Sequence, residues 1–353
     1  MSMNKRPKIG LILTGGGIAA RRDPKTLKML SSCDFNEWML EIPEINLIAE
    51  IHPINLFNVS GYEISSKHWL QIAESIYENY KDCDGFVITH GLDTIVYTAS
   101  AVSFLLRNLG KPVIFTGSRF PPNEKEANVI FNTHKDIYKN TMGSIEARSN
   151  LINAVQAATM DLSEVCILFG KKLLRANRTS VVDLFGSDIF GSGEFEALGE
   201  VQFGLDLSPH RFKRDLDKKL RVMKNIEKKV GYLKLYPQID PKLFEVLVEN
   251  HYRGLLIVPY FMGEFPPHIV DVLKKATDKG MIIVAARASF SGSIDFSIYY
   301  GGKVGGDLGI ISAIDMTSTA ALTKLMVVLG EEKNRQKIEK MIQTDWCGEI
   351  TTK

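Results

Sequence analysis

A carboxylate placed in a glycine turn is the feature of this sequence that most readily suggests chemistry. Asp93 closes the turn His90-Gly91-Leu92-Asp93 inside the stretch Gly85 to Thr98, GFVITHGLDTIVYT. Such a carboxylate can take or give a proton, or hold a donor group of a ligand. It can equally cap the helix that follows. Hydroxyl nucleophiles are available at Thr14, Thr94, Ser118 and Ser289, but none has an obvious base beside it in the sequence. Arg21, Arg22, Arg119 and Arg287 could present guanidinium forks to carboxylate or phosphate groups, or simply be solvated.

The elements around Asp93 must position it. Phe86, Val87 and Ile88 form a short apolar run suited to a buried parallel strand. Ile95 to Leu106 has helical spacing. A strand feeding a helix through a glycine turn places side chains at the carboxyl edge of a sheet, where open α/β folds bind ligands. Lys8 to Leu13 reads as a first strand ending in Gly15-Gly16-Gly17. Glycines there let the backbone approach a ligand, or merely make a tight turn.

Further strands are expected at Pro112 to Thr116 and Val165 to Phe169, with helices at Ser65 to Tyr80 and Ser149 to Met160. Ala20 to Cys33 reads as a charged loop, Ile45 to Phe57 as two apolar runs about Pro53, and Phe120 to Gly143 as a loop or short insertion. The alternation predicts an α/β fold with a mostly parallel, doubly wound sheet. Leu207 to Lys229 is basic and polar and reads as a linker, giving an N-terminal domain over 1–206, a linker over 207–229 and a C-terminal α/β domain over 230–353. In the second half, strands are expected at Tyr232 to Leu235, Leu255 to Val258 and Met281 to Ala285. Helices are expected at Leu243 to Glu249, Ile269 to Thr277, Thr317 to Leu329 and Lys333 to Gln343.

Composition narrows the functional classes. The 353 residues are 45% hydrophobic and carry a net charge of +2, which suits one or two domains with real cores and argues against general nucleic-acid binding. Cys33, Cys83, Cys166 and Cys347 are scattered without CxxC spacing, and Cys83 and Cys166, beside or within expected strands, read as reduced packing residues; neither a metal nor a cofactor is expected. No apolar run reaches membrane-spanning length and the N-terminus lacks a signal-peptide core, which makes the cytoplasm the expected location.

Three blocks carry a family resemblance. Leu13-Thr14-Gly15-Gly16-Gly17-Ile18-Ala19, the stretch from Thr89 to Ser118, and Asp315-Met316-Thr317 through Leu325 resemble, in order, the TGGTIA, HGTDT and DMT-x-x-AALTKL signatures of the cytoplasmic, type I L-asparaginases. The resemblance implies a two-domain asparaginase-like fold, a homodimer or homotetramer, and amide hydrolysis by two threonines, an Asp and a Lys with help from a lid tyrosine. At the matching positions this sequence has Gly17, Leu92, Asp93 and Val181, the last within Arg175-Ala176-Asn177-Arg178-Thr179-Ser180-Val181, and Ala20 to Ser32 holds no tyrosine. The substrate-holding segment aligns with Gly61, Tyr62 and Glu63, and the SDGxxN motif with Ile145 to Asn150, Glu146 taking the Asp place.

Asp93 is thus the expected catalytic residue, with Gly17, Gly61, Tyr62, Glu63, Leu92, Ser118 and Val181 as substrate-binding positions. The expectation is loss of asparagine hydrolysis, with the pocket rebuilt for other chemistry on a carbon–nitrogen or carboxylate-bearing small molecule. The arginines make an anionic ligand the class considered. A non-catalytic binding or regulatory protein and an ordinary asparaginase are the alternatives. Restoring both threonines is expected to fail without Val181→Lys, and the three changes together to recover at most a trace of activity.

Overall fold

The computed structural model describes residues 6–22, 29–31, 40, 42–122, 144–186 and 188–352. The chain divides into two compact units, Met1–Val222 and Met223–Lys353. In the first unit the strands are β1 (Lys8–Gly15), β2 (Glu50–Val59), β3 (Gly85–Thr89), β4 (Val113–Thr116), β5 (Val165–Phe169), β6 (Lys172–Arg175), β7 (Gly199–Val201) and β8 (Leu205–Leu207). They form one sheet in the order β8-β7-β6-β5-β4-β3-β1-β2. Strands β2, β1, β3, β4 and β5 run parallel, whereas β6, β7 and β8 are antiparallel additions.

The parallel half has the spatial order 2-1-3-4-5. Its topological switch point lies between β1 and β3, the place where such sheets open a crevice beyond their carboxyl ends. Both strands are buried on both faces, which is why they read as continuous apolar runs. Leu11, Leu13, Val87, Ile114, Cys166 and Leu168 pack with Leu151, Ala154 and Val155 of the helix Ser144–Thr159. The helix Ile95–Leu105 is buried at ten of its eleven residues. It receives a hydrogen bond at Thr98 Oγ1 from Trp69 Nε1 of the helix Ser66–Asn79, at 3.1 Å.

Several expectations shift. Of the apolar runs over Ile45 to Phe57, the start is a helical turn, Ile45–Ile48, and the residues on both sides of Pro53 join one ten-residue strand, β2. Proline is tolerated because β2 is an edge strand with an unpaired side. Ala20–Arg22 pairs antiparallel with Met29–Ser31 where a loop was expected. Most of the 120–143 segment lies outside the described residues. Residues 207–222, expected as linker, are fastened to the first unit: Arg214 donates to the Met160 and Asp84 carbonyls at 2.8 and 2.7 Å, and Arg221–Val222 pairs with Leu106–Arg107. Arg211 and Arg214 serve here as donors to chain carbonyls.

The second unit carries a four-stranded parallel sheet, Val230–Lys234, Gly254–Val258, Ile282–Ala285 and Ile311–Ser312, in sequential order. Helices Lys242–Glu249, Val270–Asp278, Ser318–Glu331 and Arg335–Gln343 lie within a residue or two of their expected positions. A helix at Tyr300–Asp307 and the last strand were not foreseen. A fully buried ion pair closes this unit: Lys324 Nζ meets Glu349 Oε1 at 2.6 Å and also donates to the Ile342 and Thr344 carbonyls. Burial works against the charge on Glu349, but the Lys324 ammonium and the Cys347 amide outweigh it and hold the carboxyl below its ordinary value. No helix among the described residues is long and apolar enough to cross a membrane.

Candidate active site

The switch point gathers glycines. β1 ends at Gly15 and Gly16, with φ of 101° and 83°, a region that residues with a Cβ avoid. A Cβ on Gly16 would collide with the Gly91 amide, and one on Gly91 would stand 2.6 Å from Gly61 Cα. Gly61 in turn faces Asp93: a Cβ there would run into Oδ2 and lie 3.1 Å from Cγ. A Cβ on Gly17 would come to 2.5 Å from the Ser118 carbonyl oxygen. Leu92 Cδ2 lies against Gly117, at 3.0 Å from where its Cβ would be. Backbone and the Asp93 carboxylate therefore occupy the space that side chains at 16, 17, 61 and 91 would need.

These contacts bring Gly17, Gly61, Leu92, Asp93 and Ser118 into one cluster at the edge. Asp93 is exposed, and no hydrogen bond or ion pair joins its carboxylate to another described residue. It does not cap the helix after it, whose N-cap is Thr94. Thr94 Oγ1 instead donates to the Gly61 carbonyl at 2.6 Å, tying the two turns together.

His90, just before the turn, is completely buried. Its Nδ1 lies 2.8 Å from the Gly91 carbonyl oxygen, a contact in which Nδ1–H is the donor. Nε2 is buried and has no hydrogen-bond partner among the described residues, and the ring meets Phe115 edge-on. Burial drives the pKa of His90 down to about 4, so the ring is neutral at physiological pH.

Each candidate hydroxyl is already committed to a backbone carbonyl. Thr14 donates to Thr89, Ser118 to Phe120, and Ser289 to Ser291. None of them touches a base among these contacts. Asn150 supports the Ser118 loop by donating to the Gly117 carbonyl at 2.9 Å and accepting from the Gly170 amide at 3.0 Å.

The structure reassigns other expected site residues. Glu63 is exposed and accepts the Ser60 amide at 2.9 Å, so it caps a short turn, Gly61–Glu63. Tyr62 is 77% exposed and projects outward. Val181 sits on a separate two-residue strand paired with Phe190–Gly191 and is half exposed. Arg119 is not a free anion receptor: it forks onto Glu146, with Nη2 2.5 Å and Nε 3.0 Å from Oε2, and donates to the Phe185 and Gly186 carbonyls. Arg287 is buried and donates to the Asp315 and Ser289 carbonyls. Arg21 and Arg22 lie on the Ala20–Arg22 strand; their side chains are outside the described residues. The anionic-ligand expectation thereby loses Arg119 and Arg287 as support.

A two-unit α/β protein with a glycine-walled site at a sheet switch point is the class that fold and site define. Residues 8–139 and 138–211 match the asparaginase N-terminal family profile, and 229–342 match the glutaminase/asparaginase C-terminal domain. The chain belongs to the asparaginase family. It is 32% identical over 319 residues to L-asparaginase 1 of Escherichia coli strain K12, covering 88% of this chain and 86% of that one. It is 30% identical over 365 residues to a glutamyl-tRNA(Gln) amidotransferase subunit from Pyrococcus abyssi, covering 98% of this chain and 77% of that one. The thermostable L-asparaginase from Thermococcus kodakarensis superposes with a TM-score of 0.85 at 25% identity, covering 98% of this chain and all of that one.

The crowding at Gly17 has a measurable consequence. Gly17→Ala is expected to lower unfolding stability by about 1–3 kcal/mol, the usual range for overpacking. Gly204→Ala, whose Cβ would find its nearest neighbour at 3.9 Å, is the control and should stay near wild type. Urea titration of both variants decides it. Equal stabilities would mean that position 17 has room for a side chain.

Proposed function

We propose that this asparaginase-family protein does not hydrolyse asparagine and that its Asp93 site binds a small molecule through a donor group such as an amine. The observation that carries this reading is the commitment of every candidate hydroxyl to a backbone carbonyl. Amide hydrolysis of the family's kind needs a hydroxyl next to a deprotonating group and donors for the oxyanion. Gly17 and Leu92 supply no hydroxyl, and Val181 supplies no amine. Asp93 keeps an exposed carboxylate that no cation among the described residues pairs with, which suits a ligand ammonium. Gly17, Gly61, Leu92 and Ser118 would form its walls, with Tyr62 at the rim.

A second reading retains chemistry at this site. An unpaired, solvent-facing carboxylate can accept a proton from a bound carbon–nitrogen compound, making Asp93 a general base on a substrate other than asparagine. Glu63, considered as its partner, is occupied as a cap.

The resemblance also points to a cytoplasmic homodimer or homotetramer. The run Val181, Val182, Leu184 and Phe185, each 46–68% exposed, supports an assembly that covers it. Light scattering at micromolar concentration should give at least twice the chain mass, and a clean monomer would count against assembly. Relatives named as one subunit of an amidotransferase make a place within a larger enzyme the competing arrangement.

The activity test is direct. Ammonia release from asparagine and glutamine is expected to equal that of heat-killed protein. Thermal-shift titration with asparagine, aspartate and putrescine should find a stabilising amine in the wild type and lose it in Asp93→Asn. Asparagine turnover of roughly 1 per second or faster by the unmodified chain would defeat the reading.

A further inference from the structure

We propose that His68 is an acid-sensitive latch: its neutral ring caps the helix Ser66–Asn79, and charging it releases the turn that seats Gly61 against Asp93. The segment between β2 and this helix contains two caps in tandem. Ser60 N–H donates to Glu63 Oε2 at 2.9 Å, and Ser65 N–H donates to His68 Nδ1 at 3.0 Å. Ser65 Oγ lies 3.2 Å from the same nitrogen. The sequence thus reads S-x-x-E followed by S-x-x-H, with histidine in the place where a capping box ordinarily has Glu or Gln.

That exchange makes the second cap sensitive to protonation. Nδ1 accepts the Ser65 amide only while it carries no proton, and an imidazolium has N–H on both nitrogens. The new charge would also sit in the first turn of the helix, at the positive end of its dipole. The Phe57 ring of β2 holds the imidazole in place, with centroids 4.7 Å apart.

Three titratable groups act on the latch. Lys67 and Glu63 flank it on its own segment and push in opposite directions, and His90 at the end of β3 is close enough to interact with it. Burial and Lys67 together hold the pKa of His68 below its ordinary 6.5, so the cap is closed at neutral pH and is lost only as the pH falls through that lowered pKa.

The turn under this cap bears on the site. Gly61 lies against the Asp93 carboxylate, and its carbonyl accepts from Thr94 Oγ1. The cap at Ser65 fixes the other end of that turn. Its effect on ligand binding rests on the Asp93 reading above; the conformational response does not.

Hydrogen–deuterium exchange of the whole chain at about pH 7 and about pH 5, corrected for intrinsic rates, tests the latch across the range in which histidine titrates. Amides at 65–69 in the wild type should exchange roughly fivefold faster at the lower pH, the effect of losing one cap, relative to amides at 85–89 of β3. His68→Gln keeps a neutral acceptor and should show no such rise. An unchanged wild type, the same rise in His68→Gln, or a rise shared equally by 85–89 would each overturn the proposal. Asp93→Asn should retain the rise, so failure of the binding reading and failure of the latch are read separately.

Discussion

At the carboxyl edge of the large sheet four chain segments approach until nothing larger than hydrogen fits between them. Gly16 meets Gly91, Gly91 meets Gly61, and Gly17 meets the carbonyl of Ser118. This contact of backbone with backbone sets the shape of the site. It draws the ends of β1 and β3 together and leaves the Asp93 carboxylate resting over Gly61. The same approach removes the room that a reactive side chain at position 17 would occupy.

The surrounding structure holds these segments in register. Parallel pairing of β1 with both β2 and β3 fixes the height of the glycine turns. Asn150 and the Arg119–Glu146 pair reach from the helix Ser144–Thr159 and its neighbours to steady the 117–119 loop. Arg119 and Glu146 are nearly buried side chains, with exposures of 10% and 9%, so their fork excludes water and resists rearrangement. On the other side, the tandem caps at Ser60 and Ser65 define how the chain enters the helix Ser66–Asn79.

Much of the fold was legible because strong periodicity and burial coincide. β3 and β5 were readable as apolar runs, and the helix Ile95–Leu105 as a long apolar segment. The antiparallel strands β6 to β8 were not, because short partly polar strands of three or four residues carry little periodic signal. At the site, the sequence displayed the residue types at 17, 61, 92 and 93. It could not display partners distant along the chain. Arg119 looked like a free cation until Glu146, 27 residues away, appeared beside it. Glu63 looked like a site acid, although its partner, Ser60, was only three residues off and the S-x-x-E pattern was present. The closure around Gly17 depends on the carbonyl of Ser118, a group that every sequence has and no sequence reveals.

The most direct test of this account is ammonia release from asparagine by the variant Gly17→Thr/Leu92→Thr/Val181→Lys, compared with a heat-killed control. Threonines and a lysine would then stand where the resemblance puts the family's hydroxyls and amine. The account predicts silence, because Ser118 and the glycine turns leave no place for a threonine at position 17. Turnover of roughly 1 per second by a stable triple variant would contradict it, since that would show that side chains alone separate this chain from an active asparaginase.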